Sequence, residues 1–244
     1  MFMEKIVSLQ NAKIKKLCRL HKKKDRDESG LFLVEGEHLV EEARKAGCLQ
    51  YCISDVEELT GKNGLYVTPE IMKKISCNVS EVHLIGLCRK LQNPCKDRKR
   101  VLILDGVQDP GNLGTLVRTA VSFSFDAVYC SKNTVDLYNE KTVRSTQGAM
   151  FYIPVIYENL IKTVPMLKEE GFHIVGTSLH DACGMQEIVP QEKMAFILGN
   201  EGQGVSKEML ALSDERLFIE MNGFESLNVA VAGGIVMYNF RIQK

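Results

Sequence analysis

"VLILDGVQDPGNLGTLVRTA" (residues 101–120) joins a continuous apolar run to a helical pattern through a short polar turn. The run at 101–105 shows no alternation and is too short for a helix, so it reads as a strand buried on both faces. Beyond the turn, Leu113, Leu116, Val117, Ala120 and Val121 fall at i, i+3, i+4, i+7 and i+8, one face of a helix. Pro110 and Gly111 tighten the turn, and Asn112 is the expected N-cap. A strand feeding a helix through so short a loop is the repeating unit of a parallel α/β sheet.

The same texture continues toward the C-terminus. "AVYCS" (127–131), "YIPVI" (152–156), "FHIVGTS" (172–178), "AFILGN" (195–200) and "LFIEM" (217–221) are short apolar runs separated by helical stretches. They predict a buried parallel sheet with crossover helices. On the N-terminal side "NPCKDRKR" (93–100) has the composition of a linker. Before it the pattern predicts a helix around 9–20, a strand at 31–36, a helix at 37–47 and short strands near 50–54, 65–67 and 82–85. The 37–47 helix carries Leu39, Val40, Ala43 and Ala46 on one face and stops at Gly47, a suitable C′ residue. The expectation is α/β overall: a small mixed α/β domain over 1–95 and a parallel-sheet domain over 96–244.

Composition narrows the function. The chain of 244 residues is 45% hydrophobic and 25% charged, as an ordinary globular protein is. No window approaches the length of a membrane span, and the first residues lack the order of a secretory signal, so a cytoplasmic protein is expected. The eight cysteines are scattered without a CxxC pair. "CLQYC" (48–52) has no partners at zinc spacing, so free structural thiols and no metal are expected. Lys and Arg balance Asp and Glu at 31 each, which argues against a generic nucleic-acid binder. The distribution is uneven, however. Residues 1–30 hold nine basic residues against four acidic, and 89–100 hold six against one. Each run could be a solvated helix end; together they are candidates for a phosphate-backbone surface.

Ligands of open α/β sheets bind beyond the carboxyl ends of the strands, and three such loops stand out. In the first, Arg118 points away from the apolar stripe, as either a surface arginine or a functional one. The second, "LGNEGQGVS" (198–206), has neither the Gly-Lys-Ser/Thr ending of a triphosphate loop nor the dinucleotide G-x-G-x-x-G spacing. Glu201 there would repel an anion, so a cationic or uncharged ligand fits better. The third, "GFESLNVAVAGG" (223–234), brings Glu225, Ser226 and Asn228 to the head of a segment apolar around its circumference, which predicts a buried helix. Ser226 is the candidate N-cap. Asn228, one turn in, needs polar partners. Gly233 and Gly234 each weaken a helix, which suggests a close packing neighbour.

In order, "NLGTLVRTA", "LGNEGQGVS" and "GFESLNVAVA" resemble the three motifs of the SpoU (TrmH-type) RNA 2′-O-ribose methyltransferases of the SPOUT superfamily. "DESGLFLVEGEHLVEEA" (27–43) resembles the small RNA substrate-binding domain, like a ribosomal RNA-binding protein, that many of these enzymes carry. The resemblance implies a trefoil knot near the C-terminus, S-adenosylmethionine as cofactor, and a homodimer. It implies catalytic or substrate-shaping roles for Asn112, Arg118, Glu201, Ser226 and Asn228, and cofactor contacts at Gly199, Ile219 and Leu227. The chain departs from the family's usual Ile-Pro-Met at Ile219-Glu220-Met221, which leaves the shape of the cofactor loop open. The resemblance also implies RNA as partner, with large-subunit ribosomal RNA ahead of transfer RNA. A dinucleotide-dependent oxidoreductase fails on glycine spacing. A non-catalytic RNA-binding assembly factor stays open as the alternative, although all five polar positions are filled.

Overall fold

The computed structural model describes residues 4–77, 81–92, 95, 97–222 and 226–242. The chain forms two compact units, Met1–Gln92 with Tyr138–Phe151, and Asn93–Leu137 with Tyr152–Lys244.

The first unit contains β1 (Glu4–Ile6), α1 (Ala12–Arg19), α2 (Lys23–Ser29), β2 (Leu31–Glu35), α3 (Glu37–Lys45), β3 (Leu49–Ser54), α4 (Glu57–Thr60), β4 (Leu65–Val67), α5 (Pro69–Ile75) and β5 (Leu84–Arg89). Its sheet has the order β1-β4-β3-β5-β2, with β5 antiparallel to both neighbours and the other pairs parallel. The apolar stripes of α1 and α5 (Ile14 and Leu17; Ile71, Met72 and Ile75) pack in one core with Ile53, Leu65, Val67 and Ile85 of the sheet. α3 buries Leu39, Val40 and Ala43, as its periodicity predicts. The chain turns off α3 at Gly47, whose φ of 69° is costly for a residue bearing Cβ.

The second unit follows with β6 (Arg100–Asp105), α6 (Pro110–Ser122) and β7 (Ala127–Ser131). After α7 (Glu140–Thr146), which belongs to the first unit, come β8 (Val155–Glu158), α8 (Leu160–Glu169), β9 (His173–Thr177), β10 (Cys183–Gly184), β11 (Met194–Gly199), α9 (Lys207–Ala211), β12 (Glu215–Phe218) and α10 (Val229–Asn239). Among the described residues its sheet has seven strands, all parallel, in the order β10-β12-β9-β11-β6-β7-β8. The central strands are the apolar runs of the sequence: all of β11 and residues 101–104 of β6 are buried. α6 adds Leu113, Leu116 and Val117, each contributing on the order of 1.5–3 kcal/mol by leaving water. α6 and α10 pack together at Gly233, where a Cβ would come within 2.4 Å of Leu116 and 2.7 Å of Leu198. Gly234 meets only Thr119, at an ordinary 3.9 Å, so close packing explains the first glycine and not the second.

Several expectations need correction. The N-cap of α6 is Asp109, whose carboxylate accepts the Asn112 N–H at 2.9 Å; Pro110 opens the helix and places Asn112 inside its first turn. The N-cap of α10 is Asn228 and not Ser226: its Oδ1 accepts the N–H groups of Ala230 and Val231. α10 is not buried all round, since Val231, Ile235 and Tyr238 are 52%, 38% and 56% exposed along one side. β8 begins only after Pro154, which lacks a ladder N–H, and β12 ends at Phe218, which leaves Ile219 in a loop. β1, α2, α4, α5 and β10 were not visible in the periodicity. Glu225 of the third motif and part of the 93–100 linker lie outside the described residues. All eight cysteines are free. Among the described residues no helix is long and apolar enough to cross a membrane.

The basic run at 89–100 also differs from its sequence reading. Lys90 pairs with Asp27, Arg98 with Glu170, and Lys99 with Glu192. Arg100 is buried and donates to the carbonyls of Phe240, Lys99 and Glu192. Arg100 is fixed inside the fold and Lys90, Arg98 and Lys99 each face a carboxylate, so four of the six cations of the run are already engaged. On the first unit Lys15, Lys16 and Lys22 are exposed and have no ion-pair partner among the described residues.

Candidate active site

β12, β9 and β11 are neighbours and run parallel, so their carboxyl ends open on the same edge of the sheet. The loops at 178–181, 200–206 and 219–222 leave from that edge. Next to β11 lies β6, whose exit loop leads into α6. Two bonds tie the exits of β6 and β11: the Asn200 side-chain amide donates to the Gly106 carbonyl at 2.9 Å, and the Ser206 N–H to the Asp105 carboxylate at 3.0 Å.

The 200–206 loop is a closed turn, with Asn200 and Gly204 exchanging main-chain hydrogen bonds at 3.0 and 2.9 Å. Gly199 makes this closure possible. A Cβ there would lie 2.0 Å from the Gly204 carbonyl carbon and 2.1 Å from the Val205 nitrogen, positions that no side chain can share.

Glu201 projects from this turn onto the start of α6. One carboxylate oxygen accepts the Asp109 N–H at 3.0 Å and the Asn112 side-chain amide at 2.9 Å; the other accepts the Gln108 N–H at 3.1 Å. Partial burial pushes its carboxyl up. The Asn112 amide and the main-chain donors of Asp109 and Gln108 outweigh that and hold it below the ordinary glutamate value. Asn112 in turn accepts from the Asn228 side-chain amide at 2.9 Å.

The orientation of this chain of groups is forced. Asn228 must turn its oxygen to the helix N–H groups, so its NH2 faces Asn112. Asn112 then presents its oxygen to Asn228 and its NH2 to the carboxylate of Glu201. Three of the five polar residues singled out from the sequence, one per motif, therefore form a single hydrogen-bonded network across three separate loops.

The other two stand apart from it. Arg118 is exposed, nearly two turns beyond Asn112 on α6, and its guanidinium has no partner among the described residues. Ser226 is exposed two residues before the α10 cap and likewise makes no hydrogen bond with the described residues. Of the cofactor positions, Gly199 is buried at the end of β11, Ile219 is half-buried just past β12, and Leu227 is 36% exposed ahead of α10. Sequence reasoning missed the loop after β9. Its Leu179 is 59% exposed, and Ser178 is held by the Leu217 carbonyl at the end of β12. The signal was present in the polar Thr177-Ser178 pair closing an apolar strand.

Strand ends that offer main-chain donors and acceptors beside the exposed Leu179 and Leu227, with the exposed carboxylate of Glu220 and no Lys or Arg in the three loops, suit an adenosine-like group better than a polyphosphate. Glu201, the one charge on the turn, is already engaged. Fold and site thus define a parallel-sheet α/β protein with a ligand site at adjacent carboxyl strand ends, attached to a second unit of mixed sheet.

The sequence matches the SpoU rRNA Methylase family over residues 99–238 and the MRM3-like substrate binding domain over residues 11–80. The chain belongs to the SpoU rRNA methylase family, RNA methyltransferases that use S-adenosylmethionine. It is 39% identical to the 23S rRNA (guanosine(2553)-2′-O)-methyltransferase RlmP of Bacillus subtilis, over 98% of this chain and 100% of that protein. It is 29% identical to an uncharacterized tRNA/rRNA methyltransferase of Synechocystis, over 98% of this chain and 94% of that protein. The crystal structure of an AdoMet-bound rRNA methyltransferase from Sinorhizobium meliloti superposes with a TM-score of 0.88 at 27% identity, covering 97% of each chain.

Proposed function

We propose that this enzyme methylates a ribose 2′-hydroxyl in large-subunit ribosomal RNA, with the guanosine named for the Bacillus relative as the first candidate nucleotide. That relative's full-length similarity supports the choice of RNA. The single observation that carries the site assignment is the Glu201–Asn112–Asn228 network, which locks the three motif loops together.

In this reading residues 96–244 form the catalytic domain and residues 1–95 the RNA substrate-binding domain. S-adenosylmethionine, when bound, supplies an electrophilic methyl on a sulfonium. Gly199, Ile219 and Leu227 hold its adenosyl part through main-chain contacts and apolar surface. The family's trefoil knot lies, in this reading, near the C-terminus.

Arg118, charged and without a partner among the described residues, positions the target nucleotide through its phosphate and 2′-hydroxyl. Arginine stays protonated in proteins, so donation to the phosphate is its primary role. Asn112 and Asn228 are held rigid, and Ser226, exposed and without a hydrogen bond among the described residues, is the hydroxyl left to meet the substrate. Orienting the nucleotide can lower the barrier by several kcal/mol, about 7–11 in the best intramolecular cases. The transfer itself needs no metal ion. The exposed apolar side of α10, Val231, Ile235 and Tyr238 with Phe123, is the homodimer contact, and the protein works in the cytoplasm with the RNA it modifies.

The test is transfer of labelled methyl from S-adenosylmethionine to ribosomal and transfer RNA from cells lacking this protein, offered both free and as particles. The expected product is 2′-O-methylribose in large-subunit RNA, lost with Arg118→Ala and reduced at least about a hundredfold with Arg118→Lys. Label in transfer RNA alone would overturn the substrate assignment, and cofactor binding without any transfer would make the protein a non-catalytic RNA binder.

A further inference from the structure

In the first unit, three side chains far apart in sequence converge on one point. His21 follows the end of α1, Cys77 follows α5, and Glu140 opens α7. The His21 Nδ1 lies 3.0 Å from the Glu140 Oε1 and 3.0 Å from the Cys77 Sγ, and the sulfur and the carboxylate oxygen are 3.7 Å apart. We propose that His21, Cys77 and Glu140 form a binding site for a divalent transition-metal ion of the zinc class.

Three arguments carry this assignment. First, the donor set is mixed nitrogen, sulfur and oxygen, each type a zinc ligand at about 2.0–2.3 Å, which places the donors of a tetrahedral site about 3.3–3.6 Å apart. The observed triangle is close to one face of such a site.

Second, the geometry does not fit a nucleophilic triad. In a triad the thiol and the orienting carboxylate bond opposite ring nitrogens. Here both approach Nδ1, which can serve only one of them at a time, whereas an ion between them serves both. The sulfur is also 3.7 Å from Nε2, so it sits beside the face of the ring; binding rotates the imidazole about χ2 to aim Nδ1 at the ion.

Third, the backbone around each ligand is held in place. Glu35 accepts the Cys77 N–H at 2.8 Å and the Ser76 hydroxyl at 2.9 Å. Buried Arg26 donates to the His21 carbonyl at 2.8 Å, and Asn139 caps the helix that Glu140 begins. Outer partners of this kind orient metal ligands and tune their affinity. Cys77 is exposed, so the fourth position is open to water. An ion here would pin α7 to the ends of α1 and α5.

The experiment uses the full chain, stripped of metal by a chelator and titrated with Co(II), then Zn(II). The expected result is one Co(II) per chain with a near-ultraviolet thiolate charge-transfer band and visible tetrahedral bands, both displaced by Zn(II). Cys77→Ser should lose the charge-transfer band. Glu140→Gln and His21→Ala should weaken binding about tenfold or more, and Glu35→Gln by about tenfold. Zn(II) should also slow alkylation of Cys77, read by mass spectrometry, in the unaltered chain but not in His21→Ala. Absence of the band, or a band that persists in Cys77→Ser, overturns the proposal. If a variant fails to fold, the alkylation of Cys77 in the unaltered chain decides alone: protection supports the site, and an unchanged rate refutes it.

Discussion

At position 201 a glutamate that sequence reasoning placed near a ligand proves to hold protein to protein. Its carboxylate accepts three N–H bonds from the turn and helix that carry Asn112. Gln has one acceptor oxygen where the carboxylate has two, so Glu201→Gln leaves at least one donor facing an NH2 group. Glu201 is exposed, which keeps the expected loss of stability to about 1 kcal/mol. Its folded-state pKa is lowered, so its contribution is complete above the unfolded value of about 4.3 and disappears as pH falls through the folded one. Urea unfolding should therefore show a constant gap between Glu201→Gln and the parent above about pH 5, closing below about pH 4. A gap that is unchanged at low pH would mean the carboxylate charge is not what stabilises the clasp.

At the scale of elements, the decisive feature is the passage of one main chain beside another where β11 meets the 200–206 turn. Gly199→Ala has nowhere to place its methyl, because the obstructing atoms are backbone. Calorimetry of S-adenosylmethionine binding should show affinity falling at least about tenfold, with a stability loss of about 1–3 kcal/mol, the range for overpacking. Full binding by Gly199→Ala would show that the turn can move and that the close approach is not required. At Gly233 the obstructing atoms are ends of leucine side chains, which can shift.

At the scale of the whole molecule, the proposed function assigns one surface to RNA and another to a second copy of the chain. The salt dependence of RNA binding should come from the first unit's unpaired lysines, with Lys15→Glu, Lys16→Glu and Lys22→Glu each lowering the log–log salt slope by about 1. The same change at Lys99 or Arg98, already paired within the fold, should leave that slope unaltered. Equal effects at both sets in filter binding would restore the 89–100 run as a phosphate contact. The exposed side of α10 should be covered in a dimer. Ile235→Glu is expected to give monomers in sedimentation velocity while the chain stays folded, because Ile235 is 38% exposed in the single chain. An unaltered dimer would place the contact elsewhere.

Read without its fold, this chain already specifies a parallel α/β sheet, the polar loops at its strand ends and the three positions, Asn112, Glu201 and Asn228, that the fold joins by hydrogen bonds. These follow from local rules: apolar runs of strand length, helical periodicity, and glycine and polar residues where strands end. Local rules also misplaced both helix caps, because Asp109 and Asn228 compete with equally suitable neighbours and only the path of the chain selects between them. Tertiary structure alone decided which cations stay free, since Arg98, Lys99 and Arg100 find partners more than ninety positions away in some cases. It alone joined Asn112, Glu201 and Asn228, and it alone brought His21 to Cys77 and Glu140, across 56 and 119 positions. Spacing rules detect ligands that are neighbours in sequence, whereas convergence of distant segments is set by how sheets and helices pack.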